Sequence, residues 1–453
     1  MLNRIGIKGY KSLRDVDVRL QPLTVLFGPN AAGKSNFLDA LRLLSMVAIG
    51  PTIRHAFYPP YRGKVLESFS YPREGLKGVR NQESASFSIE ADFTLSDFVV
   101  DATNKQIRDM TQPSELDKPR DAKKVQNIVE KRDLRYRIEV EVLPNSARLQ
   151  LADERLVALD AEGKPLGGRG DFKNTFIFTR KKSNDGRLIV TKEEPNTMMV
   201  KSIRFDQSAL SQPHYPPLYP YLTAARQEIA SWNFFHFEPL ERMRTPDPLK
   251  PAWNIGAMGE NLPAYLYTLK GQSPRHFGAI ERSLKFLLPE VEGIEVYLDN
   301  HGDVELNLVK DGVSISNRIL SEGTLRMLAL LAIGGAEQPP SLVGLEEPEN
   351  GIHPSRIQLV ADLLKTRAIF TERSQYIIAT HSPIFVDCVP KKSLFVVTKG
   401  DEGTRIEPYS AFGSLGRWFS DDLPSVDRDD NVDEDDSESL RVSERILRGD
   451  FNG

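Results

Sequence analysis

Two glycines, a lysine and a serine stand at a spacing that suits a phosphate group. Residues 28–35 read GPNAAGKS, which matches the phosphate-binding pattern G-x-x-x-x-G-K-[ST]. Gly28 and Gly33 let the backbone curl with its N–H groups pointing inward, and the helix that follows turns its positive end to the anion. Lys34 can then reach the outer phosphates, and the Ser35 hydroxyl can bind Mg²⁺. The motif predicts a nucleotide site and leaves open what the nucleotide does.

The residues that flank this loop are those that the motif requires. Residues 23–27 form a short apolar run that is typical of a buried parallel strand, and residues 37–44 repeat apolar side chains at helical spacing. A chance match in a glycine-containing turn would need neither flank. We therefore expect a strand, a phosphate loop and a helix in succession.

Two consecutive carboxylates end a second apolar run. Residues 342–345 are followed by Glu346 and Glu347. Two acids at the end of a buried strand are costly unless they meet a cation or polarise water, and successive strand residues point to opposite sides. The pattern therefore predicts separate roles, one carboxylate near Mg²⁺ and one facing an attacking water. An exposed strand end is the alternative.

A histidine after one apolar run and a serine–glycine pair before an apolar helix are further candidates for the site. Thr380 and His381 follow the apolar run 376–379. Ligands gather beyond strand ends in open α/β sheets, so His381 could reach the γ-phosphate. A structural histidine is the alternative. Ser321 and Gly323 precede an apolar helix and could form a second anion-binding end, or Ser321 could be an ordinary N-cap.

The order of these stretches resembles the ATPase core of ABC-type proteins, in the branch near the RecF, SMC and OLD-family ATPases. The small bacterial ATPases described as AAA-type or SMC-like are the most similar group, since their hallmark stretches look like GENLPAYL, SEGTLR and EEPENGIHP here. The resemblance covers residues 1–48 and 235–399 and leaves the middle insertion and the tail unexplained. It implies an ATPase that uses ATP and Mg²⁺.

The resemblance also implies roles for individual residues. In that family two subunits enclose two ATP molecules, so Ser321 and Gly323 would act in trans on the nucleotide of another copy. Glu347 matches the glutamate that activates water, and His381 matches the switch histidine. Residues 349–354 occupy the place of the loop that couples the two sites. The residues placed around ATP are Gly28, Pro29, Asn30, Gly33, Lys34, Ser35 and Asn36, and those on the metal are Ser35 and Glu346.

Three positions depart from the family pattern. Glu346 stands where many relatives have Asp, which changes the metal geometry by one methylene, and Glu322 replaces the first of two signature glycines. Gln82 is only a candidate for the glutamine loop. The chain has no long heptad arm, which argues against bridging DNA over a distance. Little room follows residue 399 for a TOPRIM nuclease domain, so a nuclease would be a separate chain.

Composition excludes several classes of protein. The chain has 453 residues, 40% hydrophobic and 27% charged, as in ordinary globular proteins. Its single cysteine, Cys388, excludes an internal disulfide framework and a cysteine-based zinc cluster. The N-terminus lacks a signal-peptide pattern, and the longest apolar stretch is too short for a bilayer, so we expect a cytoplasmic protein without a membrane partner.

The charge is unevenly distributed along the chain. The net charge is −4, and residues 421–438 hold ten acidic residues and one basic residue, which leaves the remainder at +5. So small an excess over more than 400 residues does not demonstrate a nucleic-acid surface, and DNA stays only a candidate partner. The acidic tail is expected to be solvated and disordered.

We expect an α/β fold, a P-loop NTPase of the ABC-ATPase type. It would have a mixed or parallel central sheet with helices on both faces, an antiparallel β lobe and a mixed insertion. The expected boundaries are 1–80 and 231–400 for the two parts of the ATPase core, 81–230 for the lobe and insertion, and 401–453 for a C-terminal extension. The local patterns predict a helix over 226–237, a helix that begins at Asn261, a hairpin over 294–312 and parallel βαβ units over 319–399.

The favoured function is a switch that dimerises around ATP and hydrolyses it to drive a DNA-linked process. On resemblance alone, the setting would be antiphage defence or DNA repair, with a separately encoded effector such as a nuclease or toxin, and with a homodimer or higher homo-oligomer as the assembly. The alternatives are the nucleotide-binding subunit of a membrane transporter and a scaffold or sensor that binds ATP without hydrolysing it.

Overall fold

The computed structural model describes residues 1–111, 128–166, 176–182, 188–191, 205–334, 339–371, 373–412 and 441–448. The chain divides into two compact units. The first, called the lobe, comprises residues 1–20 and 36–233, and the second, called the core, comprises residues 21–35 and 234–453. The domain boundaries expected from the sequence stay predictions.

The regular elements are strands and helices of ordinary length. The strands are β1 (Leu2–Tyr10), β2 (Leu13–Arg19), β3 (Leu23–Phe27), β4 (Ala85–Thr94), β5 (Asp133–Leu143), β6 (Arg148–Ala158), β7 (Phe176–Lys182), β8 (Leu188–Thr191), β9 (Trp232–Phe235), β10 (Asp247–Pro248), β11 (Gly293–Leu298), β12 (Asp303–Lys310), β13 (Val313–Ser316), β14 (Leu342–Glu346), β15 (Gln375–Thr380), β16 (Leu394–Gly400) and β17 (Gly403–Pro408). The helices are α1 (Lys34–Ile49), α2 (Leu76–Arg80), α3 (Asp97–Thr111), α4 (Pro220–Ala230), α5 (Leu262–Gln272), α6 (Pro274–Leu287), α7 (Glu322–Gly334), α8 (Pro354–Lys365), α9 (Pro383–Asp387) and α10 (Val442–Arg448).

A seven-stranded antiparallel sheet organises the lobe. Its strand order is β2-β1-β4-β5-β6-β7-β8. Along β5 every second side chain is buried, as the alternation of a half-buried strand requires. The register places Asp92 opposite Arg135 and Glu90 opposite Arg137, so acids of one strand face arginines of the next. The lobe sheet therefore has one apolar face and one face with charges of both signs.

A six-stranded sheet organises the core. Its order is β17-β16-β3-β15-β14-β9, and β16, β3, β15 and β14 run parallel to their neighbours in this series. All five residues of β3 and all six of β15 are buried, because both faces of a parallel sheet are covered. The parallel strands expected over residues 319–399 are confirmed. Their carboxyl ends lie at one edge, where α/β proteins bind ligands.

A smaller antiparallel sheet also belongs to the core. Strands β10, β12 and β11 are neighbours, and β13 pairs with β12. The hairpin of β11 and β12 confirms the one expected over 294–312. Helix α6 buries Phe277, Ile280 and Leu284 on one side, which is the spacing of an amphipathic helix.

Two local expectations met different outcomes. The helix expected over 226–237 is wrong in its second half, because helix α4 ends at Ala230 and Trp232–Phe235 forms strand β9. The aromatic residues favour an extended chain, and pairing beside β14 at the edge of the sheet overrides the helical spacing. The helix expected from Asn261 is confirmed as α5, although Asn261 has φ +64° and its side chain makes no capping hydrogen bond.

Other expectations fall partly outside the described residues. The acidic tail at 421–438 lies outside them, as does part of the insertion expected within 81–230. Within the described ranges, we find no helix with both the length and the apolar character needed to traverse a membrane.

Candidate nucleotide-binding site

The phosphate loop joins the buried strand β3 to helix α1. Gly28 has φ +152°, and a Cβ at this position would lie 2.1 Å from the carbonyl oxygen of Val397 in β16. Gly33 has φ +114°, in the region that favours glycine. Thr404 of β17 donates a hydrogen bond to the carbonyl of Ala32 at 2.7 Å. The hairpin of β16 and β17 thus holds the loop from one side and tolerates only glycine at its start.

The loop lysine is buried against its own loop. Lys34 is 8% exposed, and its Nζ donates to the carbonyl oxygens of Gly28 at 2.8 Å and Pro29 at 2.9 Å. Burial lowers the pKa of Lys34, and the charges of Glu347 and Glu346 act in the opposite direction. The ammonium group therefore lies inside the loop, within the electrostatic reach of both strand-end carboxylates.

Ser35 and Glu346 come together at the end of β14. The Ser35 hydroxyl donates to Glu346 Oε1, across 311 residues of sequence. The other oxygen, Oε2, lies 3.2 Å from His236 Nδ1, and the Glu346 side chain is only 10% exposed. A nearly buried carboxylate thus has a hydroxyl on one oxygen and an imidazole on the other.

Glu347 begins a turn and faces a different partner. Its φ is +47°, a strained value for a residue with a Cβ, and its N–H donates to the Ala379 carbonyl at 2.8 Å. Glu347 Oε1 accepts a hydrogen bond from His381 Nδ1 at 3.0 Å, since an ionised carboxylate can only accept. Both side chains are partly exposed, at 31% and 49%. The two consecutive glutamates therefore have separate surroundings.

A third acid lies beneath this pair. Glu349 is 5% exposed, and its Oε1 accepts a hydrogen bond from Thr380 Oγ1 at 2.5 Å, while Oε2 has no hydrogen-bond partner among the described residues. Burial raises the pKa of Glu349, and the Thr380 hydrogen bond acts in the opposite direction. The Ser382 N–H donates to the same Thr380 hydroxyl at 2.9 Å. Glu349 thus connects the turn after β14 to the residues on both sides of His381.

The stretch around Ser321 starts helix α7. Ser321 is exposed, and its Oγ accepts the N–H of Thr324 at 3.2 Å, so it caps the helix. Gly323 packs so tightly that a Cβ would lie 2.5 Å from the carbonyl oxygen of Gly351. These described contacts are with the helix itself and with the turn after β14. The role in trans stays a prediction.

A buried arginine joins this helix to two other parts of the site. Arg326 is 8% exposed and donates to the carbonyl of Asn350 and, at 3.0 Å, to the carbonyl of Phe237. Burial lowers the pKa of Arg326, and the charges of Glu322, Glu347 and Glu349 act in the opposite direction. Helix α7, the turn after β14 and the segment after β9 are thereby tied by one side chain.

The structure brings most of the predicted site residues into one cluster. Contacts within the core connect Gly28, Pro29, Lys34, Ser35, Glu346, Glu347 and His381. Asn30 is exposed on the same loop. Asn36 and Gln82 belong to the lobe, where Asn36 Nδ2 donates to Ser12 Oγ at 2.8 Å and Gln82 is exposed. The roles of all these residues stay predictions.

The sequence analysis missed His236. The signal was present in the stretch Phe235-His236-Phe237, where two apolar rings flank a polar one at strand spacing. The helix expected over 226–237 concealed this alternation, because helical spacing would not put both rings on one side and the imidazole on the other.

The residues present fit a magnesium–nucleotide complex. A hydroxyl and a carboxylate that already touch are oxygen ligands of the kind that Mg²⁺ prefers. Throughout the described ranges we find no cluster of three or more His, Cys, Asp and Glu that could hold a metal ion. In nucleotide sites Mg²⁺ is usually held by one or two protein oxygens together with the phosphates of the substrate.

Comparison with known proteins identifies the family. The family model described as "AAA domain, putative AbiEii toxin, Type IV TA system" matches residues 23–387, and the chain belongs to this family. An OLD nuclease of Thermus scotoductus is 41% identical over 54 residues, which are 12% of this chain and 10% of that relative. The match thus spans only a tenth of the relative's length.

A solved structure supports the fold. The Smc head bound to the C-terminal winged-helix domain of ScpA aligns with a TM-score of 0.50 and 16% identity, over 89% of this chain and 97% of that one. At this identity the likeness shows the fold alone. The fold class and the resemblance stated from the sequence are confirmed, because the chain belongs to an AAA-domain family and has the fold of an Smc head.

Proposed function

We propose that this member of the AAA-domain family is a switch that binds ATP with Mg²⁺, dimerises around it and hydrolyses it. The observation that carries the proposal is the contact of 3.0 Å between Glu347 and His381, beside a phosphate loop whose lysine lies within the field of both strand-end acids. A carboxylate with an orienting imidazole, next to a phosphate-binding loop, is the arrangement expected of a general base for water.

Binding uses the loop and its lysine. The curled backbone between Gly28 and Gly33 offers N–H groups to the phosphates, and the start of α1 adds the positive end of a helix. Lys34 Nζ exchanges its two carbonyl partners for phosphate oxygens. Ser35 and Glu346 would hold Mg²⁺, which would supply positive charge to offset that of the phosphates.

Hydrolysis uses the exposed pair. Glu347 accepts a proton from the attacking water, whose oxygen bonds to the γ-phosphorus as the bond to the β,γ-bridging oxygen breaks. His381 Nδ1 donates a hydrogen bond to Glu347 Oε1. This leaves Oε2, to which Asn350 Nδ2 donates at 3.4 Å, to face the water. The strained backbone at Glu347 aims its side chain away from that of Glu346.

Dimerisation would complete the site. Ser321 is exposed, and Glu347 and His381 are partly exposed, so a single chain leaves the reacting groups open to bulk water. A second copy that presents Ser321 and Gly323 to the γ-phosphate would exclude this water and add a helix N-terminus. The contact of Gly323 with Gly351 supports a link between the trans residues of one site and the turn that carries Glu347 of another.

The biological setting is a further proposal. The family description names a putative toxin of a type IV toxin–antitoxin system, and the partial relative is an OLD nuclease. Both support a defence or DNA-damage role. A separately encoded effector and a cytoplasmic location are parts of the proposal that come from the sequence alone. A shift of labelled DNA that depends on ATP and falls with salt would support DNA as a partner.

The test compares two variants by nucleotide binding and phosphate release. Lys34→Ala should lose ATP binding, whereas Glu347→Gln should bind ATP normally and release phosphate about 10²- to 10⁴-fold more slowly. If Glu347→Gln hydrolyses ATP at the parental rate, the assignment of the general base is wrong. If the parent binds ATP and releases no phosphate, the chain is an ATP-dependent scaffold instead.

A further inference from the structure

We propose that His236 is a positioning residue of the metal–nucleotide site, which holds one oxygen of Glu346 so that the other stays directed at Ser35. The inference rests on the proposed function, because it assumes the ATP and Mg²⁺ of that site. It assigns a role to a histidine that lies outside the phosphate loop and outside the residues that face the attacking water.

The geometry separates the two oxygens of Glu346. Oε1 accepts from the Ser35 hydroxyl, and Oε2 lies 3.2 Å from His236 Nδ1. The Ser35 hydroxyl and Oε1 of Glu346 would hold Mg²⁺ in place of their mutual hydrogen bond. The contact with His236 uses the other oxygen, Oε2, and does not depend on the hydrogen bond between Ser35 and Oε1. It can therefore persist when the metal binds, as hydrogen bonds from neighbouring side chains to metal-bound carboxylates do.

The backbone that carries His236 is held in place on both sides. Phe235 and Phe237 are 6% and 4% exposed, and their ring centroids lie 5.6 Å apart, so both rings anchor in the core and direct His236 the opposite way. The His236 N–H donates to the Ala257 carbonyl at 2.8 Å, and Arg326 holds the Phe237 carbonyl at 3.0 Å. Because the backbone on either side is fixed, only the side chain of His236, which is 53% exposed, has to be ordered when it orients the carboxylate.

The extra methylene of Glu346 explains why a contact with His236 is needed to fix the carboxylate. A glutamate has one more rotatable bond than an aspartate, so its carboxylate reaches more positions. Two contacts, one on each oxygen, remove that freedom. The position of β9 next to β14 in the sheet brings His236, directly after β9, beside the last residue of β14. The sheet thus supplies the second contact without a further element.

The experiment measures the coupling between Mg²⁺ and ATP. A fluorescent ATP analogue is titrated into the full chain in EDTA and in Mg²⁺, and the ratio of the two dissociation constants is the coupling. His236→Ala should reduce the coupling about 10- to 100-fold and leave the affinity in EDTA unchanged. His236→Asn, whose Nδ2 can take the place of Nδ1, should stay within about threefold of the parent.

A double-mutant cycle and a matched histidine show whether the effect acts through Glu346. In a Glu346→Gln background, His236→Ala should change the coupling by less than about twofold, because the oxygen it orients is no longer a strong metal ligand. His301→Ala should leave the coupling at the parental value, since His301 lies in the exposed turn between β11 and β12. Parental coupling in His236→Ala, equal losses in the Ala and Asn variants, or additive losses in the cycle would each overturn the proposal.

The proposed function can fail separately. A parent chain with Mg²⁺-dependent ATP binding and no phosphate release would contradict hydrolysis and would still allow His236 its role. A parent that binds ATP equally well in EDTA and in Mg²⁺ would overturn the role of His236, whatever its rate of phosphate release.

Discussion

Acidic residues do different work in the two sheets of the molecule. In the lobe, Asp92 is 8% exposed and forms a two-point contact with Arg135, at 2.6 and 2.7 Å, while Arg4 reaches Glu90 at 2.8 Å. Hydrogen bonds to acids raise the pKa of Arg4 and of Arg135, because they favour the charged guanidinium. These carboxylates have permanent cations as partners and stabilise the sheet.

In the core, the acids at the strand ends have hydroxyl and imidazole partners instead. Glu346 contacts Ser35 and His236, and Glu347 contacts His381. A hydroxyl satisfies a lone pair without neutralising the charge, so the carboxylate still attracts a cation or a proton. The comparison suggests that the type of partner, more than burial, separates acids that stabilise the fold from acids that bind and react.

Gly28→Ala should have the largest effect on the core site. Its Cβ would meet a backbone atom of β16 that cannot move aside, so the loop cannot close and ATP binding should fall below detection. Gly271→Ala is the matched control, because a Cβ there meets nothing within 4 Å in helix α5. Titration with a fluorescent ATP analogue measures both. Parental affinity in Gly28→Ala would show that the loop does not hold the phosphates.

Glu346→Gln should separate binding from stability. Removing the charge should reduce the coupling between Mg²⁺ and ATP by about 100-fold or more, since a neutral amide is a poor ligand for Mg²⁺. The free energy of unfolding should fall by less than about 1 kcal/mol, because Ser35 can still donate to the amide oxygen of the glutamine and Lys34 keeps its two carbonyl partners. Nucleotide titrations with and without Mg²⁺ and urea unfolding test the two parts. A large loss of stability with intact coupling between Mg²⁺ and ATP would show that Glu346 stabilises the fold and does not bind the metal.

Asp92→Asn should give the reverse pattern. We expect a loss of about 2 kcal/mol in unfolding free energy, because Arg135 loses its charged partner at a site that is largely buried. ATP affinity should stay at the parental value. Asp15→Asn is the control, since its pair with Lys8 is about 70% exposed and should contribute less than about 1 kcal/mol. Equal losses in the two variants, measured by urea unfolding, would remove the distinction that we draw for the lobe.

Glu349→Gln should show a smaller effect that depends on pH. Burial raises the pKa of Glu349, so the folded chain holds its proton more tightly than the unfolded chain. The parent's stability from this group is complete below the unfolded pKa of about 4.3 and is lost as the pH rises through the folded pKa. The Gln variant has no such loss and should gain relative to the parent over that range.

The neighbouring charges of Glu347 and His381 are present in both the parent and Glu349→Gln, so their titration should largely cancel in the difference. Urea unfolding at a series of pH values from 4 to 8 measures it. A difference between parent and variant that stays constant with pH would show that folding does not raise the pKa of Glu349.

The local patterns of the sequence identify most of the core. The apolar runs at 23–27, 342–345 and 376–379 each become a buried parallel strand, because a run without alternation suits a sheet that is covered on both faces. The residues that follow each run then meet at one edge of the sheet. Strand ends were thus sufficient to predict that Ser35, Glu346 and His381 lie in one region.

Other features depend on contacts between distant segments. His236 follows a four-residue strand whose place beside β14 no local pattern encodes, and the helical spacing before it extends misleadingly into Phe235. The pairing of Glu349 with Thr380 joins two strand ends that are 31 residues apart. The paired charges of the lobe likewise require the register of neighbouring strands, which a single sequence does not give.

The mass of the Glu347→Gln variant with ATP and Mg²⁺ shows whether two copies of the chain close around the nucleotide. Light scattering should give twice the mass of one chain, because nucleotide that cannot be hydrolysed holds two copies together. Ser321→Arg in the same background should give the mass of a single chain, because it blocks the surface offered to the partner. If the variant binds ATP and stays a single chain, the account is contradicted.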